Sequence, residues 1–257
     1  MEEKYYYDST DGIKLCGLLS KVNDGDSIVV LCHGLNGSKE KESFNTLVEL
    51  LQKNNINSFR FDFRGHGEST GNDFDMTPLK ELEDLKITLD MIEKMNYKRI
   101  ILLGASFGAG IISLLDISEY KSIKALISWY GCLDYNATIE EDRFFSKEHM
   151  QIAQEQGYYE IASRNSGRKF RLGFKLYEEI QNLVPYENLI KEDIPILFVH
   201  GTVDKMIPYT LSKKINKLCK NSTLKLIENG DHTFSNDEKA RLEACNVTVD
   251  FIKGILN

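Results

Sequence analysis

The run Arg99-Ile100-Ile101-Leu102-Leu103 is apolar at every position after its leading arginine, and it ends on Gly104-Ala105-Ser106-Phe107-Gly108. Apolar character resumes at once in Gly110-Ile111-Ile112-Ser113-Leu114-Leu115, which reads as a helix. A strand without polar alternation must be covered on both faces, which requires a mostly parallel sheet with helices above and below. A G-x-S-x-G turn between such a strand and a helix presents a serine hydroxyl at the carboxyl edge of the sheet. It also places that hydroxyl at a helix N-terminus, where free N–H groups favour developing negative charge. The two glycines are expected to let the backbone turn sharply and neighbouring elements approach.

The rest of the chain repeats this strand–helix rhythm. Tyr5–Tyr7 and Ile13–Leu19 flank an Asp11-Gly12 turn, a hairpin signal. Ser27–Leu31 is a β-branched strand, and Phe44, Leu47, Val48 and Leu51 follow at helical spacing. Ser58–Phe63 is the next strand, and Thr77-Pro78 opens a helix with a capping hydroxyl and proline at its first position. After the Ala125–Trp129 strand come Ile196–His200, a helix marked by Leu211, Ile215 and Leu218, the Leu224–Ile227 strand and a closing helix. Between Leu133 and Asp193 no clear strand is legible. That stretch has helix-like segments rich in aromatics: Phe144, Phe145, Tyr158, Tyr159, Phe170, Phe174, Tyr177 and Tyr186. So long an excursion between core strands reads as an inserted lid. The expected organisation is therefore a core of residues 1–132 and 194–257 with a lid at 133–193.

Composition narrows the function classes. The 257 residues are 42% hydrophobic and 28% charged, ordinary for a globular chain. A formal charge of −7 with scattered lysines argues against nucleic acid as a partner. No apolar run is long enough to span a bilayer, so stable membrane insertion is not expected. The acidic start Met1-Glu2-Glu3-Lys4-Tyr5 lacks a signal-peptide core, which makes a cytoplasmic location the expectation. Five dispersed cysteines (Cys16, Cys32, Cys132, Cys219, Cys245) fit reduced, buried thiols rather than a disulfide framework or zinc site. Oligomeric state is left open, a homo-oligomer included.

A serine nucleophile needs a base, and the base needs an orienting acid. The chain order serine, acid, histidine calls for an acid after a later strand and a histidine after the last one. His200-Gly201-Thr202-Val203-Asp204 and Gly230-Asp231-His232 fall at those strand ends. Ser106 is thus the candidate nucleophile, His232 the base and Asp204 the acid. Asp134, after the Ala125–Trp129 strand, is an alternative acid, and Asp231 reads as a turn residue. His33 and His200 read as loop braces, His66 lies in a tight turn, and His149 reads as a surface residue of the lid. The oxyanion hole takes one N–H from the residue after the nucleophile, Phe107. The second should come from the loop Cys32-His33-Gly34-Leu35-Asn36-Gly37, where Leu35 is the candidate. Rate is expected to rise with pH around the ordinary histidine value of ~6.5 as His232 loses its proton.

These residues together resemble the α/β-hydrolase superfamily. The matching positions are His33-Gly34, the turn from Asp62 through Ser69, Gly104 to Gly108, His200-Gly201 with Asp204, and Asp231-His232. The chain looks most like small lidded carboxylesterases, including cinnamoyl (feruloyl) esterases, and like monoacylglycerol lipases and serine aminopeptidase-like members. The resemblance implies an eight-stranded α/β sheet with a lid between strands six and seven, an acyl-enzyme and no cofactor or metal. It implies a small-molecule ester substrate, with the aromatic lid favouring an apolar or aromatic acyl group such as a hydroxycinnamate. Thioester and amide cleavage are the alternatives within the fold. Ala105 and Phe107 stand where many members carry histidine and glutamine or methionine.

Other classes fit less well. Gly104, Gly108 and Gly110 do not make G-x-G-x-x-G, and Gly34-Leu35-Asn36-Gly37-Ser38-Lys39 is too short for a phosphate loop. A metal hydrolase would need paired-histidine spacing. A non-catalytic binding protein of the same fold would not need all three positions filled.

Overall fold

A computed structural model describes residues 2–141, 145–162 and 169–257. Along the chain, β1 (Glu2–Asp8) and β2 (Lys14–Ser20) form the expected hairpin, with Asp11 and Gly12 at φ of 58° and 71° in its turn. Then follow β3 (Ser27–Cys32), α1 (Glu42–Lys53), β4 (Asn57–Asp62), α2 (Pro78–Lys94), β5 (Arg99–Ala105), α3 (Phe107–Leu114) and β6 (Ile123–Trp129). The Thr77 side chain caps α2 by accepting from the Lys80 N–H, with Pro78 in the first turn. An excursion carries α4 (Tyr135–Glu140), α5 (Lys147–Gln156), β7 (Tyr158–Ala162), β8 (Lys169–Gly173), α6 (Phe174–Ile180) and α7 (Tyr186–Leu189). The chain then returns through β9 (Ile196–Gly201), α8 (Tyr209–Asn216), β10 (Ser222–Ile227) and α9 (Glu238–Leu256).

Eight strands form one sheet in the order β1-β2-β4-β3-β5-β6-β9-β10. Only the pairings of β2 are antiparallel, so the sheet is mostly parallel, as the unbroken apolar strands require. Side chains alternate between two cores. Val29, Leu31, Ile101 and Leu103 face a layer with Phe44, Leu47, Leu51, Val249 and Ile252 of α1 and α9. Ile28, Val30, Ile100 and Leu102 face the opposite layer, with Leu85, Leu89, Ile111 and Ile112 of α2 and α3. Burying each such side chain contributes about 1.5–3 kcal/mol, which holds the carboxyl ends of the parallel strands in register.

The excursion differs from the sequence expectation, because it contains a β-hairpin. Gly157 ends α5 in the left-handed region at φ 92°, and β7 pairs antiparallel with β8 immediately afterwards. In β8 the alternation is short and masked by charge: Phe170 and Leu172 are buried while Lys169 is exposed and Arg171 half-buried. Arg171 ties the hairpin to the core through Asp73, donating from its backbone N–H and its guanidinium at 2.8–3.0 Å. Of the aromatics singled out there, Phe145, Phe170 and Tyr177 are buried in the α2–α3 core, and Phe145 contacts Phe107 and Tyr135. Phe144 lies outside the described residues. All five cysteines are buried and free. Among the described residues, no helix is long and apolar enough to cross a membrane.

Candidate active site

Ser106 takes the sharp turn itself, at φ 54° and ψ −119°. The expectation that Gly104 and Gly108 supply the turn is corrected: neither has positive φ, and their role is space. A Cβ on Gly104 would come 2.5 Å from the Gly108 carbonyl oxygen, and one on Gly108 would overlap the His33 carbonyl. Hydrogen bonds hold the serine backbone in this sparsely populated conformation: its N–H donates to the Trp129 carbonyl, and its carbonyl accepts from Cys132, both at 2.9 Å.

The three candidate residues meet at the carboxyl edge of the sheet. Ser106 Oγ is 2.9 Å from His232 Nε2, and His232 Nδ1 is 2.8 Å from Asp204 Oδ2. Ser106 is 5% and His232 8% exposed. Asp204 Oδ1 accepts from the Met206 and Ile207 N–H groups at 2.8 and 3.0 Å. Oδ2 meets a second histidine: His200 Nε2 lies 3.1 Å away, with Ser212 Oγ 2.8 Å from its Nδ1. His200 braces the loop after β9, with its Nε2 3.0 Å from the Ile207 carbonyl, and beyond that expectation it shares the Asp204 carboxylate oxygen with His232. The i, i+4 spacing of His200 and Asp204 at the end of β9 was the available signal.

Burial alone would raise the Asp204 carboxyl, yet hydrogen bonds from His200 and His232 outweigh it and hold it far below the usual carboxylate range. Burial likewise pushes His232 below its ordinary value, against the pull of Asp204, and the charge of Lys41 pushes the same way. The acid limb expected at the ordinary histidine value therefore moves down.

The remaining acids and histidines are otherwise occupied. Asp134 caps α4 by accepting from the Ala137 N–H. Asp231 accepts from the Thr233 and Ser235 N–H groups. His33 Nδ1 pairs with the Gly34 carbonyl while its Nε2 accepts from the Phe63 N–H. His66 Nδ1 pairs with the Arg64 carbonyl while its Nε2 accepts from the Asn36 N–H. These two rings brace the loop between β3 and α1. His149 stacks on Tyr159 within the excursion.

That loop packs on the serine turn: a Cβ on Gly34 would lie 2.8 Å from Ser106 Cβ and 3.4 Å from Phe107 N. Neither the Leu35 nor the Phe107 N–H makes a turn or loop hydrogen bond among the described residues. Beside them opens a cavity of about 500 Å³ that Ser106, His232, Leu35, Phe170 and Met206 help to line. It is also lined by residues that sequence reasoning missed, Lys41 and Arg241. Lys41 Nζ donates to Tyr130 Oη at 3.1 Å, and the Tyr130 ring lies 5.0 Å from that of His232. No local pattern marks a lysine before a helix as a cavity residue.

Comparison with known proteins places this geometry. Residues 23–139 match the family described as serine aminopeptidase, S33. The chain is 26% identical to the uncharacterized protein YfhR of Escherichia coli over 99% of its length and 82% of the relative's. It is 25% identical to the human serine hydrolase BPHL, covering 82% of this chain and 75% of that one. The ferulic-acid complex of Est1E from Butyrivibrio proteoclasticus superposes with a TM-score of 0.81 at 25% identity, over 97% of this chain and 99% of that one. The chain has the α/β-hydrolase fold and resembles the esterases and serine aminopeptidase-like members of that superfamily. It is a serine hydrolase of that fold.

Proposed function

We propose that the protein is a carboxylesterase that cleaves small esters through an acyl-enzyme, with Ser106, His232 and Asp204 as the catalytic triad. The observation that carries this is the unbroken hydrogen-bonded chain from Ser106 Oγ through His232 to Asp204, opening on the cavity. Ser106 Oγ attacks the ester carbonyl carbon as His232 Nε2 takes its proton. The resulting oxyanion accepts from the Leu35 and Phe107 N–H groups. Collapse breaks the carbon–oxygen bond, and His232 returns the proton to the departing alkoxide. Water, activated by the same histidine, then hydrolyses the acyl-enzyme. Asp204 holds the imidazole in the Nδ1–H tautomer and stabilises its charged form.

In this reading the 133–193 excursion is a lid, supported by Phe170 of β8 reaching the cavity wall. An aromatic acyl group such as a hydroxycinnamate is supported by Phe170, Leu35 and Met206 on that wall and by the ferulic acid bound to Est1E. The test is labelling by a fluorophosphonate, beside turnover of p-nitrophenyl esters of graded chain length, methyl ferulate and an aminoacyl amide. Labelling that disappears in Ser106→Ala, with turnover of esters over the amide, is the expected result. Equal labelling of both proteins would overturn the triad.

A further inference from the structure

The cavity that holds Ser106 and His232 also reaches the amino end of α1. Lys41 occupies the N-cap position of this 12-residue helix and makes no side-chain cap. A cation at a helix N-terminus opposes the helix dipole, an arrangement that a bound anion would relieve. Among the described residues, Lys41 has no carboxylate within ion-pair distance; its hydrogen-bond partner is the neutral hydroxyl of Tyr130. Burial lowers its pKa to about 8 against the opposing charge of Asp231.

Two buried polar side chains accompany it. Ser43 is 1% exposed, and its Oγ neighbours the Tyr130 hydroxyl that Lys41 binds. Arg241 is 9% exposed, and among the described residues its Nε has no hydrogen-bond partner. Both residues line the cavity that holds Ser106 and His232. Of the nearby acids, Glu42 lines the same cavity and pairs with Arg241 Nη2 at 3.0 Å with a side chain 68% exposed. Asp231 accepts from Thr233 and Ser235, which leaves Lys41 as the cation without an ion pair among the described residues. An anion seated at Lys41 gains a charge-assisted bond there, stronger than the bond Lys41 makes to the neutral Tyr130 hydroxyl.

We propose that the amino end of α1, with Lys41, Ser43 and Arg241, is a carboxylate subsite, so that the ester cleaved at Ser106 carries a second, ionised carboxyl group. This rests on the esterase reading above for the reaction and on the cavity for the subsite. The carboxylate can belong to the acyl part or to the alcohol part, and paired substrates separate the two. For the acyl side the pair is p-nitrophenyl hydrogen adipate and its terminal amide. For the alcohol side it is 4-carboxyphenyl acetate and 4-carbamoylphenyl acetate. Spontaneous hydrolysis is subtracted with the Ser106→Ala protein.

In one of the two pairs the charged ester is expected to have the higher kcat/KM, by about tenfold, the scale of one charge-assisted contact. That ratio is expected to collapse toward one in Lys41→Gln and in Arg241→Gln, and to recover in Lys41→Arg. Using a ratio removes any common loss from folding. Glutarate is further expected to raise the melting temperature of the native protein more than glutaramide does, a readout that needs no turnover. No charge preference in either pair and no difference between glutarate and glutaramide would overturn the subsite. So would a preference that survives both Lys41→Gln and Arg241→Gln. Ser106-dependent labelling and neutral-ester turnover without charge preference would leave the esterase reading standing and remove only the subsite.

Discussion

At the scale of single residues, Asp204 is the most heavily committed group in the site. Its carboxylate meets four donor groups: two backbone N–H groups and a nitrogen from each of two histidines. Replacing it with asparagine keeps the shape but removes the charge and permits the wrong imidazole tautomer. Asp204→Asn is therefore expected to lower kcat by about 10³–10⁴-fold with little change in KM. Steady-state kinetics of the purified variant check this, and a dominant rise in KM would contradict it. The pH profile follows from His232. The neutral ring is the base, so kcat/KM rises with pH as the proton leaves. Because burial and the Lys41 charge depress the folded pKa, half-maximal kcat/KM is expected below the ordinary ~6.5. An acid limb centred above that value would contradict the assignment. Lys41→Gln removes one depressing charge and is expected to move the limb upward.

At the scale of elements, the strand–turn–helix at β5–α3 depends on a contact that lies far apart in sequence. Gly108, in the first turn of α3, packs against the His33 carbonyl of the loop after β3. A methyl group there meets backbone, which cannot rotate away. Gly108→Ala is expected to cost about 1–3 kcal/mol of stability and to shift the Leu35 N–H. Chemical denaturation and kcat together check this, since a purely structural defect would leave kcat intact in the folded fraction. The same elements show what a sequence can reveal. The parallel strands were legible because double-sided burial demands long apolar runs, and the meeting of Ser106, His232 and Asp204, the proposed triad, because they stand at strand ends. The β7–β8 hairpin was hidden because five-residue strands interleave buried Phe170 and Leu172 with Lys169 and Arg171. The cationic lining of the cavity was hidden because Lys41 and Arg241 lie 200 residues apart and reach one cavity only through the packing of α1 on α9.

At the scale of the whole molecule, the sheet supplies the rigid edge on which the triad sits, and the excursion closes one wall of the cavity. The tie between them is compact. Asp73, 8% exposed, precedes α2 and receives three hydrogen bonds from Arg171 of β8. The Arg171 guanidinium also lies 4.7 Å from the Phe74 ring centre. Phe170, the adjacent residue, lines the cavity, so the position of that wall depends on the Asp73–Arg171 pair. Removing one partner of this charge-assisted pair, in which Asp73 is buried and the Arg171 side chain is 39% exposed, costs about 1 kcal/mol, and here the loss falls on the attachment of the hairpin rather than on the sheet. Asp73→Ala is therefore expected to speed amide hydrogen exchange in β7, β8 and α6 while exchange in β5 and β6 stays slow. KM for ester substrates should rise several-fold with a smaller change in kcat, because the triad sits on the sheet. Exchange that accelerates uniformly across all strands would show instead that excursion and sheet unfold as one unit.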